Sequence, residues 1–268
     1  MDKIKASTIK NLATLTFLLM ILVNTLANTL PIHGRNTGEV SDAYGNLFAP
    51  AGLTFAIWGV IYVLLGLYVL YQYGLFRDSK MPGSELVFEK IGPAFILSSI
   101  ANTIWIFAWH YDLILVSMGL MILILLSLIV ISEKLVKMNL NAREKFFIRL
   151  PFSIYFGWIT VATIANATTL LVGVGFDGFG IAQEYWTVFI IIVSLLIAGI
   201  TAFRNKDIGY GLVLIWAYFG IWIKHTSADG FAGKYPLVIF TVLAAIGVMV
   251  VLLGYLLIVG RKRQKKLG

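Results

Sequence analysis

The chain contains no cysteine and few charged residues, and each shortage excludes a class of protein. Without cysteine there is no disulfide framework, no thiolate metal site and no cysteine nucleophile. Charged residues make up 13% of the 268 positions and apolar residues 59%, against about 25% and roughly 45–50% in a soluble domain. The mean hydropathy of +0.89 points the same way. The composition excludes a soluble enzyme, a disordered tail and a coiled coil.

Acidic and basic residues are also missing from the middle of the long apolar segments. Proton and ion pumps usually carry such a group at mid-membrane depth, because a buried charge is costly and is retained only for a task. Its absence argues against a proton-coupled transporter and against a carboxylate-based hydrolase. Continuous apolar runs also exclude an outer-membrane barrel, whose strands alternate polar and apolar positions. The sequence predicts an all-α polytopic membrane protein with a neutral binding pocket.

Eight segments are long and apolar enough to cross a membrane, which takes about 20 residues. We expect the first to be a retained span and not a cleaved signal peptide. The seventh is the shortest and is expected to tilt little, to thin the bilayer locally or to be partly re-entrant. Pro50, Pro93, Pro151 and Pro236 are interpreted as helix-start signals, because a first-turn proline has no hydrogen bond to lose. The predicted spans are residues 11–29, 51–75, 91–109, 113–132, 150–172, 185–203, 208–223 and 236–260.

The basic residues predict the orientation. In this eight-helix arrangement, 18 of the 21 lysines and arginines lie on one side, and only Arg35, Lys224 and Lys234 lie on the other. The positive-inside rule then places both termini in the cytoplasm, and a bacterial plasma membrane fits this bias best. The net charge of +8 is therefore a topology signal, and no nucleic-acid partner is expected.

Three of the predicted helices carry aromatic and small polar residues at steps of three and four, so that each set shares one helix face. Asn, Ser, Thr and Ala are typical of helix–helix packing in membranes, and tryptophans near span ends are typical of the interfacial belt. The same faces also suit a pocket in which aromatic rings stack on a flat ligand and amides orient it. The three sets are Phe55, Trp58 and Tyr62; Ser98, Asn102, Trp105 and Trp109; and Trp158, Ala162 and Asn166.

These sets, with the residues around them, resemble the TspO/MBR family, the translocator proteins or tryptophan-rich sensory proteins. The segment Ala49-Pro50-Ala51-Gly52, followed by Phe55, Trp58 and Tyr62, is similar to the second-helix signature of that family. Asn102-x-x-Trp105 is similar to the third-helix motif, and Trp158-x-x-x-Ala162-Thr163-x-x-Asn166 to the fifth. The motifs occur in the family's order, and the resemblance covers about residues 9–172.

The resemblance implies a five-helix bundle around a pocket for porphyrins, sterols and other lipophilic molecules, closed by the loop between the first two helices. That loop, residues 30–50, would be a lid that moves at Gly34, Gly38 and Gly45. No cofactor is required, although a porphyrin or other tetrapyrrole would be a bound ligand. The implied ligand-binding residues are Trp58, Asn102, Trp105, Trp158, Ala162, Asn166, Phe55 and Tyr62, with no catalytic residue and no metal ligand.

The family has five helices, and this chain adds about three. We therefore predict a five-helix core in residues 1–173 and a three-helix C-terminal extension with a basic cytoplasmic tail in residues 174–268. The added helices either extend the bundle or mediate self-association as a homodimer.

The leading hypothesis is a membrane receptor or carrier for a planar hydrophobic ligand, with membrane lipid as its other partner. The alternative is a secondary transporter of a neutral small molecule or lipid. An enzyme acting on a porphyrin or lipid is a third hypothesis, although no nucleophile–base pair supports conventional catalysis. A purely structural membrane protein is the fourth.

Overall fold

The structure is a computed structural model that describes residues 3–30, 32–76 and 85–264, in which there is no β-strand. Eight long helices and two short ones form the described part of the chain. A 3₁₀ turn at Gly52–Ala56 leads into the third helix, and a π-helical turn at Lys145–Arg149 joins the sixth to the seventh. The helices are α1 (Lys3–Thr29), α2 (Thr37–Asp42), α3 (Ile57–Gln72), α4 (Glu85–His110), α5 (Ile114–Val136), α6 (Ala142–Glu144), α7 (Leu150–Gly173), α8 (Gln183–Asn205), α9 (Ile208–Thr226) and α10 (Pro236–Gln264).

The prediction of an all-α polytopic membrane protein is confirmed. Within the described ranges, eight helical segments have the length and apolarity to cross a membrane, and each coincides with a predicted span. The seventh, Ile208–Thr226, has 19 residues. At about 1.5 Å per residue it is roughly 28 Å long, close to the ~30 Å thickness of the hydrocarbon core.

Pro93 does not start a helix, and that prediction was wrong. It lies inside α4, which begins at Glu85. The residues before it, Glu85 to Ile91, include good helix formers, so the helix extends further towards the N-terminus than the apolar run does. Gly92, beside the proline, lets α1 approach closely, because a Cβ there would lie 2.3 Å from Cγ2 of Ile9.

Pro151 is also preceded by helix, since a single helical segment runs from Ala142 to Gly173. Asn141 caps its start: the side chain accepts a hydrogen bond from the backbone N–H of Glu144, whose carboxylate accepts one from the N–H of Asn141. A proline inside a helix lacks a donor and crowds the carbonyl four residues earlier. The π-helical turn just before Pro151 widens the helix at that point, which accommodates the ring.

The bundle is arranged around α4 and α7, which are the most buried of the spans, whereas α1, α8 and α10 expose most of their surface to lipid. Helix α4 packs between α1 and α5, and α7 packs between α5, α3 and α9. Helices α8, α9 and α10 pack on one another, and α9 joins them to α7. A five-helix group of α1, α3, α4, α5 and α7 thus contacts a three-helix group of α8, α9 and α10. The division of the chain at residue 173 into a core and an extension stays a prediction.

The helix bundle has two ends, which we call the terminal side and the lid side. The terminal side holds the start of α1 and the end of α10, and there Lys10 pairs with Glu85 and Arg204 with Glu133. The lid side holds the segment between α1 and α3 and the starts of α8 and α10, where Glu184 accepts a hydrogen bond from the backbone of Leu237.

Candidate ligand-binding site

The aromatic residues of α3, α4 and α7 meet in one cluster centred on Trp58. The centroid of its ring lies 5.5 Å from that of Tyr62, 6.5 Å from Trp105, 5.9 Å from Tyr155 and 6.3 Å from Trp158. Trp58 stacks on Tyr62 and meets Tyr155 and Trp158 edge to face, the geometries that aromatic pairs prefer. The aromatic part of the predicted site is therefore brought together.

A small inner cavity of about 30 Å³ lies against this cluster. Because one water molecule needs at least about 10–15 Å³ of such volume, the cavity has room for very little more than that. Six of the predicted ligand-binding residues line this cavity. Asn166 of α7 and Ser41 of the segment between α1 and α3 add an amide and a hydroxyl to its lining. The lining residues are Ser41, Pro50, Phe55, Trp58, Trp105, Trp109, Met121, Trp158, Val161, Ala162, Ala165 and Asn166.

A larger groove of about 610 Å³ lies on the other side of Trp58, between α1, the lid and α3. This volume is within the range of about 300–1,000 Å³ that small-molecule pockets usually have. Its α1 wall is polar, with two asparagines and two threonines in the last two turns of that helix. The lining residues are Asn24, Thr25, Asn28, Thr29, Asn36, Thr37, Gly38, Glu39, Asp42, Gly52, Phe55, Ala56, Trp58, Gly59 and Tyr62.

Phe55 and Trp58 line both the groove and the inner cavity, so their rings form the partition between the two. Trp58 is 9% exposed, and Phe55 meets Trp158 edge to face at 5.7 Å. The sequence placed both residues on one helix face but could not indicate that they separate two cavities.

Polar atoms without a partner in the described part of the chain are concentrated at this site. Nε1 of Trp105 and of Trp158, Oδ1 of Asn166 and the hydroxyl of Tyr62 are all buried, and none has a hydrogen-bond partner there. An unpaired buried polar atom costs about 1–3 kcal/mol. The first three belong to side chains that line the inner cavity, and Tyr62 lines the groove. Two unpaired indole donors and one unpaired amide acceptor thus belong to side chains that line the inner cavity.

Asn102 is not brought to either cavity. Its Oδ1 accepts a hydrogen bond of 2.9 Å from Nδ2 of Asn24 in α1, and its own Nδ2 donates to the hydroxyl of Tyr155 at 3.3 Å. These bonds join α1, α4 and α7 behind the aromatic cluster. Asn166, by contrast, lines the inner cavity; it donates to Oγ of Ser117 at 2.6 Å, and its Oδ1 has no hydrogen-bond partner among the described residues.

The segment between α1 and α3 covers the site, and residues 32–50 of it are called the lid here; Pro31, within the predicted lid loop, lies outside the described residues. The short helix α2 begins at a capping box formed by Asn36 and Glu39. Nε1 of Trp109 donates to the backbone oxygen of Thr37 at 3.1 Å. Ser41, in the same helix, lines the inner cavity beneath.

Asp112, in the turn between α4 and α5, holds the lid from one side. Its carboxylate pairs with Arg35 and accepts a hydrogen bond of 2.9 Å from the hydroxyl of Tyr44. Partial burial, followed by the hydrogen bond and the negative charge of Asp112, raises the pKa of Tyr44 to about 12. The phenol therefore stays protonated and donates at any ordinary pH.

Several residues of the site were not named in the predicted set. Tyr155 precedes Trp158 by three positions and shares its helix face, so spacing alone could have indicated it. Trp109 lies on the predicted aromatic face of α4 but is not among the predicted ligand-binding residues. Ser41 and Met121 carry no local signal, because the lid and α5 meet the cluster only in the folded bundle.

No group of three or more His, Cys, Asp or Glu residues within the described ranges is close enough to hold a metal ion. Of the histidines, the ring of His33 contacts the backbone oxygen of His110 at 3.3 Å, and His225 bonds to the lid. The inner cavity is lined by aromatic rings, small apolar side chains, an amide and a hydroxyl, whereas the lining of the groove also includes the carboxylates of Glu39 and Asp42, so the groove is not the neutral pocket that the sequence predicts.

These features define an integral membrane protein that has, within the described residues, eight helices able to span the membrane and a cluster of aromatic residues between them. The chain belongs to the TSPO-like protein family, whose model matches residues 10–255. No curated protein and no solved structure gives a significant match to the chain. The matched range continues beyond residue 172 and includes α8, α9 and most of α10, so these helices are part of the pattern shared by this family.

Proposed function

We propose that this protein is a membrane receptor or carrier that binds a planar hydrophobic ligand, of porphyrin or sterol-like type, in the groove beside Trp58. The observation that carries the proposal is the groove of about 610 Å³ walled by Phe55, Trp58 and Tyr62. It is large enough for a drug-sized molecule, and aromatic walls suit stacking on a flat ring system. Membership of the TSPO-like family supports the same ligand class.

The inner cavity holds only the edge of such a ligand, because its volume is about 30 Å³. The body of the ligand would lie in the groove, and a polar substituent would reach past Trp58. There the free Nε1 atoms of Trp105 and Trp158 would donate to it, and Oδ1 of Asn166 would accept from it. Two donors and one acceptor favour a substituent that carries both kinds of polar atom.

The test is a titration of the purified protein in detergent with protoporphyrin IX, followed by tryptophan fluorescence. We expect saturable quenching that is strongly reduced in Trp58→Leu and in Trp158→Leu. Trp186→Leu is the matched control, because Trp186 lines a separate cavity of about 170 Å³ between the lid, α7 and α8. Saturable quenching that survives in both site variants, or that is absent in the parent protein, would contradict the proposed site.

A second candidate function is secondary transport of a neutral small molecule or lipid. A cavity of about 250 Å³ on the terminal side favours it, since it lies between α5, α7, α8 and α9 and includes Thr160, Asn205 and Tyr210. Alternating access requires a path from the site to each side of the membrane, and this cavity would supply part of the path on the terminal side. Time-resolved release of protoporphyrin IX from loaded proteoliposomes distinguishes the two candidates: a transporter speeds release over protein-free vesicles, and a protein that only binds the ligand leaves it unchanged.

We further propose that the protein lies in a bacterial plasma membrane with both termini in the cytoplasm, so that the lid side faces outward. The distribution of basic residues supports this orientation. The cysteine-free chain allows single-cysteine labelling of intact cells with a membrane-impermeant maleimide. Ala43→Cys on the lid should react and Lys137→Cys on the terminal side should not; the reverse pattern would overturn the orientation.

A further inference from the structure

The lid is held on its second side by α9, a helix outside the five-helix group. Nζ of Lys224 lies 2.7 Å from Oδ1 of Asp42, which is the last residue of α2. The next residue, His225, donates from Nε2 to the backbone oxygen of Leu47 at 2.9 Å. The two lid residues are 182 and 178 positions away from their partners in the chain.

His225 is fixed for this contact. Its side chain is 0% exposed, and its ring packs against Phe231 and Tyr235 at centroid distances of 4.8 and 5.8 Å. Because the ring is packed in this way, its position is set by α9, and the hydrogen bond to Leu47 breaks only when the lid moves away from the helix. Lys224 is mostly buried as well, with 18% of its side chain exposed.

The same helix also fixes the chain where the lid runs into α3. The backbone N–H of Ala51 donates to the oxygen of Gly220 at 3.0 Å, and Nε1 of Trp216 donates to the oxygen of Thr54 at 3.0 Å. Gly220 leaves no space at this contact, because a Cβ there would lie 1.9 Å from Oγ1 of Thr54. The 3₁₀ turn that carries Phe55, and with it the start of α3 just before Trp58, is therefore positioned by α9.

At its opposite end α9 is anchored independently of the lid. Asp207 caps the helix by accepting from the N–H of Tyr210 at 3.1 Å, and it accepts a hydrogen bond of 2.5 Å from Oγ of Ser153 in α7. Arg149 lies 3.7 Å from the same carboxylate. Helix α9 thus connects α7 on the terminal side to the lid on the other side.

From this geometry we infer that α9 keeps the lid closed over the aromatic site, with Lys224 and His225 as positioning residues that control access to it. Opening the lid requires breaking the Asp42–Lys224 ion pair and the Leu47–His225 hydrogen bond, in addition to the contacts at Asp112. Only the consequence for ligand entry rests on the proposed function. The coupling of α9 to the lid is a property of the fold and is measurable without a ligand.

Ser41 provides the reporter, because it is 4% exposed, lies in α2 and lines the cavity under the lid. In a chain without cysteine, Ser41→Cys gives one thiol whose reaction rate with a water-soluble maleimide measures lid opening in the full-length protein in detergent. We expect Lys224→Met to raise this rate about fivefold, the effect of losing one partly buried ion pair. His225→Leu should raise it by a similar factor, and the two together by more.

Three controls separate lid opening from general loosening. Lys234→Met removes a charge from the same side at an exposed position and should leave the rate unchanged. The exchanged pair Asp42→Lys with Lys224→Asp should restore the slow rate. A second reporter, Ser153→Cys, lies where α9 meets α7 at its other end and should stay slow in the Lys224 and His225 variants.

Failure of this inference can be distinguished from failure of the proposed ligand class. A labelling rate at residue 41 that is unaffected by both α9 substitutions would overturn the inference. An equal rise in the labelling rate at residue 153 would also overturn it, because it would mean that the whole helix undocks. The same variants are then titrated with protoporphyrin IX, where faster quenching is expected when the lid is open. If labelling responds but the parent protein shows no saturable quenching, α9 controls the lid and the proposed ligand class is wrong.

Discussion

Gly157 of α7 faces the backbone oxygen of Tyr210 in α9 at a distance that excludes any side chain. A Cβ at position 157 would lie 2.9 Å from that oxygen and 2.9 Å from Cβ of Val213. Close approach through small residues is how membrane helices gain packing energy in the absence of a hydrophobic driving force. This contact fixes the three C-terminal helices to the aromatic bundle.

Gly157→Ala should therefore separate α7 from α9. Overpacking of this kind costs about 1–3 kcal/mol, so we expect a clearly lower midpoint of thermal unfolding in detergent. Gly119→Ala is the matched control, because a Cβ there meets nothing within 4 Å. Equal midpoints for the two variants would mean that the contact is looser than the structure shows.

Asn102 is expected to act on stability and not on ligand binding. Substitution of Asn24 and Asn102 by Ala, singly and together, should give a coupling energy of about 0.6 kcal/mol, the average for hydrogen bonds between membrane helices. Unfolding in mixed detergents measures it. The affinity of Asn102→Ala for protoporphyrin IX should stay within a few-fold of the parent, and a large loss of affinity at unchanged stability would make Asn102 a ligand contact after all.

Filling the inner cavity should weaken binding. Ala162→Leu places a larger side chain in the wall of a cavity that has room for little more than a water molecule, so the substituent of the ligand would lose its place beside Trp105 and Trp158. We expect an affinity for protoporphyrin IX about tenfold lower, which corresponds to ~1.4 kcal/mol. Ala244→Leu on the exposed face of α10 is the control for added bulk. Unchanged affinity in both variants would place the ligand wholly in the groove.

Titration of Tyr44 should break its hydrogen bond to Asp112 in the alkaline range. The pKa of Tyr44 is about 12 in the folded protein, above its ordinary value of 10.0. The unfolded chain therefore loses this proton first, so the contribution of Tyr44 to stability is complete below pH 10 and is lost as the pH rises towards 12. The difference in tyrosinate absorbance between the parent protein and Tyr44→Phe should show a transition near pH 12, and a transition near pH 10 would contradict the contact.

The sequence by itself determined the membrane class, the eight spans and three of the site's helix faces. Apolar length sets a span because every backbone group in lipid must bond within its own helix, and faces follow from the helical period. The rule that a proline marks the start of a helix failed at Pro93, because α4 continues upstream of this residue. There Gly92 packs closely against Ile9 of α1.

Only the tertiary structure decided which polar group goes where. Asn102 and Asn166 lie on comparable faces, yet Asn102 uses both ends of its amide between helices, whereas Asn166 lines the inner cavity and keeps its oxygen unpaired. The partition at Trp58 and the attachment of the lid to α9 depend on contacts between residues far apart in the chain, up to 182 positions for Asp42 and Lys224. Such contacts leave no periodic pattern in the sequence, because each is set by how the helices pack and not by the helix on which it lies.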